Sequence, residues 1–319
     1  MIFMAKQILS CDWGTSGFRL RLVNVEDAVV LNEITSDQGI AAVYNKWIES
    51  NQPESERVAF YKHILRSVLT GYFKEGIKGV PVIISGMASS TIGMKALAYS
   101  ELPFELKSMN VNIEIIKADD DLHHDILLVS GLRTPDDVMR GEETMLLGCD
   151  IEKDEDALII FPGTHSKHVV VKNNAVVDFK TYMTGEMFDL LASKSILSNS
   201  VAQNSNDHEN IFIKGVKEGE KNNLLNSSFH VRTNQLFRKY SVEENYHFLS
   251  GLVIGCELKE IIVSSKNIYL VCSKNLFKNY LMALKVLNAS IPVKYYNADE
   301  TLVKAHCKLY NACIESKSK

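Results

Sequence analysis

The sequence predicts an α/β protein built from two structurally similar halves. One observation is a repeated order: strand, Gly-Thr turn, strand, turn, strand, seen from Ile8 to Leu31 and again from Ala157 to Phe179. A second is the polar stretch Asp150–Asp156, which separates the two copies and reads as a domain boundary. A third is that each copy runs on into segments of helical periodicity and short apolar strands, the alternation of an α/β sheet. At 319 residues the chain is long enough for two domains, here 1–150 and 151–319.

In the first half, Ile8-Leu9 leads into Ser10-Cys11-Asp12-Trp13-Gly14-Thr15-Ser16-Gly17, and Phe18–Leu22 alternates as the returning strand. The hairpin tip carries one carboxylate, hydroxyls and glycines. Glycine allows close approach of a ligand, and successive N–H groups in a turn form a nest for an anion. A carboxylate beside such a nest repels a bare phosphate but can hold Mg²⁺. These residues fit two readings, a Mg–nucleotide phosphate site and an ordinary Gly-rich hairpin with an exposed aspartate. Ala28–Leu31 follows as a third strand.

Val58, Tyr61, Leu65, Val68 and Tyr72 recur every three or four residues and predict a helix from Glu54 to Phe73, with Pro53 suited to its first turn. Gly71–Gly76 has the glycine spacing of a P-loop, but Ile77 stands where that motif needs Lys. Val80–Ile84 is a short buried strand that ends in Ser85-Gly86-Met87-Ala88-Ser89-Ser90, and ligands bind at such carboxyl ends. That turn is a candidate substrate loop, or a simple Gly turn. Asn112–Ile116 alternates as a strand. Asp119–Asp125, with His123 and His124, reads as a solvated acidic loop, because adjacent side chains cannot converge on one ion. In Arg140-Gly141-Glu142-Glu143-Thr144 two acids open a helix, where the dipole favours them and where a general base could also be fixed.

The second half repeats the opening pattern, with Pro162-Gly163-Thr164-His165-Ser166-Lys167 as its turn. Gly163-Thr164 holds the place of Gly14-Thr15, and if the halves face each other the two turns converge on a cleft. Helices follow from Met183 to about Leu197 and from a capping box at Ser241–Glu244 through Ile262, separated by a polar loop at Ser198–Asp207. Within the second helix, Ser250-Gly251 and Gly255 fit close helix packing or room for a ligand. Strand Asn267–Cys272, helix Leu276–Leu287, strand Val293–Tyr296 and a helix from Asp299 close the chain.

Composition narrows the partners. A hydrophobic fraction of 46%, 23% charged residues and a net charge of −4 describe a globular protein without affinity for polyanions, so nucleic acid is excluded as a partner. The N-terminus lacks a signal-peptide pattern and no apolar run reaches a membrane span, so a cytoplasmic protein without membrane attachment is expected. The six dispersed cysteines lack a CxxC pair and read as reduced thiols. A homo-oligomer is compatible with the sequence.

Taken together, Asp12-Trp13-Gly14-Thr15, Met139-Arg140-Gly141-Glu142-Glu143-Thr144, Pro162–Lys167, Met183-Thr184-Gly185-Glu186 and Phe248–Gly255 resemble, in order, the motifs of the 2-dehydro-3-deoxygalactonokinases of the actin-like ATPase / sugar kinase superfamily. The resemblance implies two ribonuclease-H-like domains around a nucleotide cleft, with ATP and Mg²⁺ as cofactors and a small sugar acid as substrate. It implies phosphorylation of 2-dehydro-3-deoxy-D-galactonate at its 6-hydroxyl in galactonate catabolism, with another sugar or sugar acid, or a non-catalytic regulator, as alternatives.

By the same resemblance Asp12 organises the metal, Glu142 is the catalytic base, and Gly14, Thr15, Ser16, Gly163 and Thr164 hold phosphate. Substrate-binding roles fall on Ser85, Gly86, Met87, Glu143 and His165, with Arg140, Lys167 and Arg19 as the cationic candidates for the substrate carboxylate. Adenosine binding falls on Ser250, Gly251, Ser273, Lys274 and Asn275. In the last three this chain departs from the family, which carries Gly-Thr-Ser after the strand where Cys272-Ser273-Lys274-Asn275 stands.

Overall fold

The computed structural model describes residues 6–73, 77–107, 111–152, 156–203, 208–261, 267–287 and 292–317. Parts of four expected features lie outside these residues: 74–76 of the P-loop-like segment, 153–155 of the polar boundary, 204–207 of the polar loop and the helix end at Ile262.

The chain divides into two compact units. The first comprises Met1–Glu152, Asn174–Val177 and Asp299–Lys319, and the second Lys153–Asn173 and Asp178–Ala298. The first contains β1 (Gln7–Trp13), β2 (Phe18–Asn24), β3 (Val29–Ser36), α1 (Ile40–Glu49), α2 (Arg57–Tyr72), β4 (Val82–Gly86), β5 (Ser100–Glu101), β6 (Phe104–Glu105), β7 (Ile113–Ile116), β8 (Ile126–Val129), β9 (Leu132–Arg133), β10 (Val138–Met139) and α3 (Glu142–Gly148). The second contains β11 (Ala157–Phe161), β12 (Ser166–Lys172), most of β13 (Ala175–Tyr182), α4 (Thr184–Ser193), α5 (Glu209–Lys221), α6 (Leu224–Leu236), α7 (Val242–Leu258), β14 (Asn267–Cys272), α8 (Lys274–Leu287) and β15 (Val293–Asn297). The chain then returns to the first unit as α9 (Ala298–Lys317).

The expected strand order holds in both units. In the first the sheet runs β3-β2-β1-β4-β8-β7. β1 pairs antiparallel with β2 and parallel with β4, and β4 pairs parallel with β8. In the second the order β13-β12-β11-β14-β15 repeats the arrangement, with β11 antiparallel to β12 and parallel to β14. Three strands in a meander followed by two parallel crossovers is the ribonuclease-H-like topology, present here twice. Alternation sorts β1 by face. Leu9, Cys11 and Trp13 enter the apolar core with Leu20, Tyr61 and Leu65, while Ser10 and Asp12 point to the other side. Tyr72, read as the end of the α2 stripe, is exposed. Residues Asn174–Val177 cluster with the first unit, where Ala175 and Val176 pair with Glu105 and Phe104.

The expected domain span 151–319 needs a correction at its end. Helix α9 belongs to the first unit, because a Cβ at Gly148 would lie 2.0 Å from the Thr301 carbonyl oxygen and Lys308 donates to the Leu147 carbonyl. Of the two readings for Gly251 and Gly255 on α7, the structure shows close packing. A Cβ at Gly251 would sit 2.1 Å from Phe212 O, and one at Gly255 2.3 Å from Val216 O. Gly215 and Gly219 of α5 meet Phe248 O and Leu252 O in the same way. These glycines let two helix backbones touch, so Gly251 serves the packing of α5 on α7. Among the described residues no helix is long and apolar enough to cross a membrane.

Candidate active site

In the first unit, Asp12 stands next to the end of β1, opposite Arg19 of β2 and Ser85 of β4. The hairpin tip closes by a bond from Gly14 N to Gly17 O (2.9 Å), leaving Thr15, Ser16 and Gly17 exposed. Helix α1, which periodicity did not reveal, starts directly on this tip. Ile40 N donates to Gly14 O (2.9 Å) and Ala41 N to Thr15 O (3.0 Å). Gly39 makes the approach feasible, since a Cβ there would lie 2.4 Å from Thr15 O.

The second unit repeats the device. Glu186 N, in the first turn of α4, donates to Thr164 O (3.1 Å), and a Cβ at Gly185 would lie 2.6 Å from Gly163 O. Each Gly-Thr turn is thus gripped from behind by a glycine-bearing helix start. Gly163 itself is open: a Cβ there would meet no atom within 4 Å.

Around Asp12 two further glycines bring the expected acceptor-side residues together. Gly86 (φ +90°) ends β4, and a Cβ on it would crowd Trp13 O at 2.9 Å and reach 3.6 Å from Asp12 Oδ1. Gly141 (φ +102°) opens α3 and would place its Cβ 3.6 Å from Gly86 Cα. A positive φ at both positions favours glycine regardless of space. Glu142 follows, half-buried, with Oε2 accepting from Arg140 N (3.1 Å). Burial pushes the Asp12 carboxyl above its ordinary range, Arg19 and Arg21 pull it back, and Asp299 and Glu142 push it up again. Asp12 and Glu142 therefore share one electrostatic environment.

The adjacent Glu143 does not share the role expected for it. It is 1% exposed and turned inward, accepting from Gly141 N (2.7 Å) and Thr144 Oγ1 (2.8 Å). Burial first, and the Glu142 charge second, push its carboxyl up to about 8. A carboxyl held there is kept protonated near neutrality. With its folded value raised above 4.5, the folded state binds more protons than the unfolded state between pH 4.5 and about 8, so its contribution to stability falls as pH rises through that window. Glu143→Gln should remove this loss. Relative to the parent, the variant should gain about 1 kcal/mol of stability per pH unit across the window. Urea unfolding at pH 6 and 8 checks it, and parallel curves would contradict it. Comparison with the parent is required because buried His306, lowered to about 3 by burial and by Arg21, has the opposite sign below pH 6.5.

The cationic candidates separate clearly. Arg140 packs its guanidinium 4.0 Å over the Tyr99 ring and donates to Tyr99 Oη, Ser89 Oγ and Leu97 O, so it braces the Met87–Ser90 turn. Lys167 is buried and donates to the His165 carbonyl (3.0 Å), within its own turn. Arg19 is ion-paired with Asp299 yet 38% exposed, and it lines a cavity of about 250 Å³ with Asp12, Gly14, Gly17, Thr35 and Ser36. His165 is exposed and bonds Glu186. Ser85 is 1% exposed, and its hydroxyl lies 3.1 Å from His306 Nε2, whose Nδ1 meets Ser10 Oγ at 2.7 Å. Ser85 thus ties β4 to β1 and α9 instead of facing a substrate. Ser250 is half-buried on α7, while Ser273, Lys274 and Asn275 are exposed where β14 gives way to α8.

Sequence reasoning missed Arg21, Asp299 and His306. Arg21, 2% exposed, ion-pairs with Asp299 (2.8 Å) and with Glu33. The available signal was alternation in β2, which puts Arg19 and Arg21 on the Asp12 face. The acidic loop is solvated at Asp119–Asp121 and His123, but His124 is buried with its Nδ1 2.7 Å from Val80 O, and Asp119 pairs with Lys62 and accepts from the backbone of Asp121 and Leu122. Among the described residues no group of three or more His, Cys, Asp or Glu could hold a metal ion.

Comparison with known proteins identifies the family. A model of the family described as 2-keto-3-deoxy-galactonokinase matches residues 12–306. A protein of Rhizobium meliloti (strain 1021) assigned as a 2-dehydro-3-deoxygalactonokinase is 32% identical over 305 residues, covering 91% of this chain and 92% of the relative. The 2-dehydro-3-deoxygalactonokinase of Escherichia coli (strain K12) is 26% identical over 296 residues, covering 90% and 92%. A crystal structure of a Sinorhizobium meliloti protein assigned the same activity superposes with a TM-score of 0.81 at 32% identity, covering 96% of each chain. With its family match spanning Asp12 to His306, the chain belongs to the 2-keto-3-deoxy-galactonokinase family.

Proposed function

We propose that the chain is a carbohydrate kinase that transfers the terminal phosphoryl group of ATP to the 6-hydroxyl of 2-dehydro-3-deoxy-D-galactonate, giving the 6-phosphate and ADP. The observation that carries this reading is the placement of Asp12 and Glu142 beside the Gly86–Gly141 contact in a member of this family. An alcohol is a poor nucleophile at neutral pH, and a half-buried carboxylate fixed at a helix start can accept its proton as attack proceeds. Glu142 is that base. Glu143 holds the Gly141 N–H and so sets the helix start from which Glu142 projects.

In the first unit Thr15 and Ser16 offer hydroxyls and backbone N–H groups to phosphate oxygens, with Gly14 leaving room for the approach, and in the second Gly163 and Thr164 do the same, the positioning and charge stabilisation that phosphoryl transfer needs. Asp12 fits Mg²⁺, because this ion keeps several waters and takes one or two protein carboxylates plus phosphate oxygens rather than a closed protein cage. When bound, Mg²⁺ supplies charge neutralisation on those phosphate oxygens. Arg19, the partly exposed cation lining the cavity beside Asp12, is assigned to an anionic group of the reactants. Ser273, Lys274 and Asn275 are retained as the exposed candidates for the adenosine end.

The test is coupled detection of ADP with a panel of aldonic, 2-keto-3-deoxy and neutral sugar acceptors. The 2-keto-3-deoxy six-carbon acid is expected to give the highest kcat/KM. A higher value for another acceptor would reassign the substrate, and Mg–ATP binding without turnover on any acceptor would overturn the kinase reading.

A further inference from the structure

Helix α7 is apolar over most of its length, yet Glu257 lies in its last turn and is 3% exposed. A carboxylate taken out of water is destabilising unless its oxygens are engaged by donors. Here they are. Oε1 accepts from Ser166 Oγ (2.7 Å) and His168 Nε2 (2.7 Å), and Oε2 accepts from Tyr280 Oη (2.6 Å). The Thr184 hydroxyl bonds the same carboxylate. Burial pushes the Glu257 carboxyl up, but the His168 bond and charge, with the Ser166 and Thr184 hydroxyls, outweigh it and hold it below its ordinary range.

The origin of these donors is informative. Ser166 is the first residue of β12, immediately after the Gly163–His165 turn. Thr184 opens α4, the helix whose Gly185 and Glu186 N–H grip Gly163 and Thr164 from behind. One buried carboxylate therefore holds both the strand that leaves the turn and the helix that backs it. Apolar side chains would attach β12 to α7 at least as firmly, whereas a hydrogen-bonded charge also fixes direction.

We propose that Glu257 is a positioning residue for the Gly163-Thr164 turn, setting the orientation in which that turn meets a nucleotide phosphate. This rests on the reading of the turn as a phosphate site.

Glu257→Gln keeps the shape and removes the charge. Calorimetry with Mg–ATP in the absence of acceptor should show affinity falling about ten-fold or more, the scale on which small displacements act at sites of this kind. The KM for the sugar acid should change by less than the Mg–ATP affinity, since Glu142 and Arg19 lie on the first unit and only His165 of the exposed substrate candidates lies on this turn; a merely structural defect would not separate the two. If Glu257→Gln does not fold, Ser166→Ala and Tyr280→Phe each delete one donor and should show the same split more weakly. Unchanged Mg–ATP affinity in a folded Glu257→Gln, or in both single-donor variants, overturns the proposal. Gly163→Val separates the two layers of inference, because its side chain would enter space free of protein atoms. Loss of Mg–ATP binding in Gly163→Val with full binding in Glu257→Gln removes only the positioning role. Full binding in Gly163→Val removes the phosphate reading, and the positioning role with it.

Discussion

Replacing Glu142 by Gln is expected to abolish phosphoryl transfer while Mg–ATP still binds. A positioned general base contributes about 10²–10⁴-fold, so kcat should fall by that factor. The substitution keeps the size of the side chain, and other groups share the structural work at this helix start. Glu143, not Glu142, holds the Gly141 N–H, and Arg140 is braced by Tyr99, Ser89 and Leu97. The bond that the Glu142 side chain accepts from Arg140 N, at 3.1 Å, can be accepted equally by the oxygen of a Gln amide. What Gln cannot do is take the proton of the attacking hydroxyl. Single-turnover kinetics with saturating Mg–ATP and acceptor would check the prediction, and a rate within ten-fold of the parent would remove Glu142 from the role of base.

The parts of this molecule legible in its sequence are those where local pattern and tertiary environment agree. The two meanders were readable because strands with one buried face alternate, and because a Gly-Thr turn between them recurs with the same spacing. The capping box at Ser241 and Glu244 was readable for a similar reason, since both of its bonds are local. Strand β8 was not: Ile126–Val129 is buried on both faces, so it lacks alternation, and four apolar residues after an acidic loop have no signature of their own. Helix α1 escaped because it has no side-chain cap; it starts instead on the backbone of the first hairpin, a contact between residues more than twenty positions apart. Helices α5 and α6 escaped because α5 packs through glycines at 215 and 219, which weaken a helical pattern, and α6 buries Ser227, Ser228 and Asn234.

The site divides along the same line. Asp12, Gly86, Gly141 and Glu142 stand on motif positions and come together. Glu143, Ser85 and Gly251 also stand on motif positions, but burial directs them to structural tasks. A motif marks where a family constrains the chain, and constraint on packing looks the same in one dimension as constraint on chemistry. His306, Asp299 and Glu257 sit in long helices with no local mark, and only the fold shows what they touch.

Asp12→Asn should separate function from stability. In the folded protein the Asp12 carboxyl is raised by burial and by Asp299 and Glu142, against the pull of Arg19 and Arg21. A carboxyl raised in this way costs stability above its unfolded value, because ionisation is harder in the folded state than in the unfolded chain. An isosteric amide removes that cost. The variant is therefore expected to melt at the same temperature as the parent or higher at pH 7. Activity should move the other way. If Asp12 holds Mg²⁺, its loss should lower turnover by about 10²-fold or more, with a raised Mg²⁺ requirement, because charge neutralisation at the phosphates is a main component of this catalysis. A purely structural aspartate would lose stability together with activity. Turnover measured against Mg²⁺ concentration, beside a thermal melt of the same preparation, distinguishes the cases, and an unchanged Mg²⁺ dependence would remove Asp12 from the metal site. The opposed movement of the two readouts is the expected mark of a residue held at a cost to the fold because the reaction needs its charge.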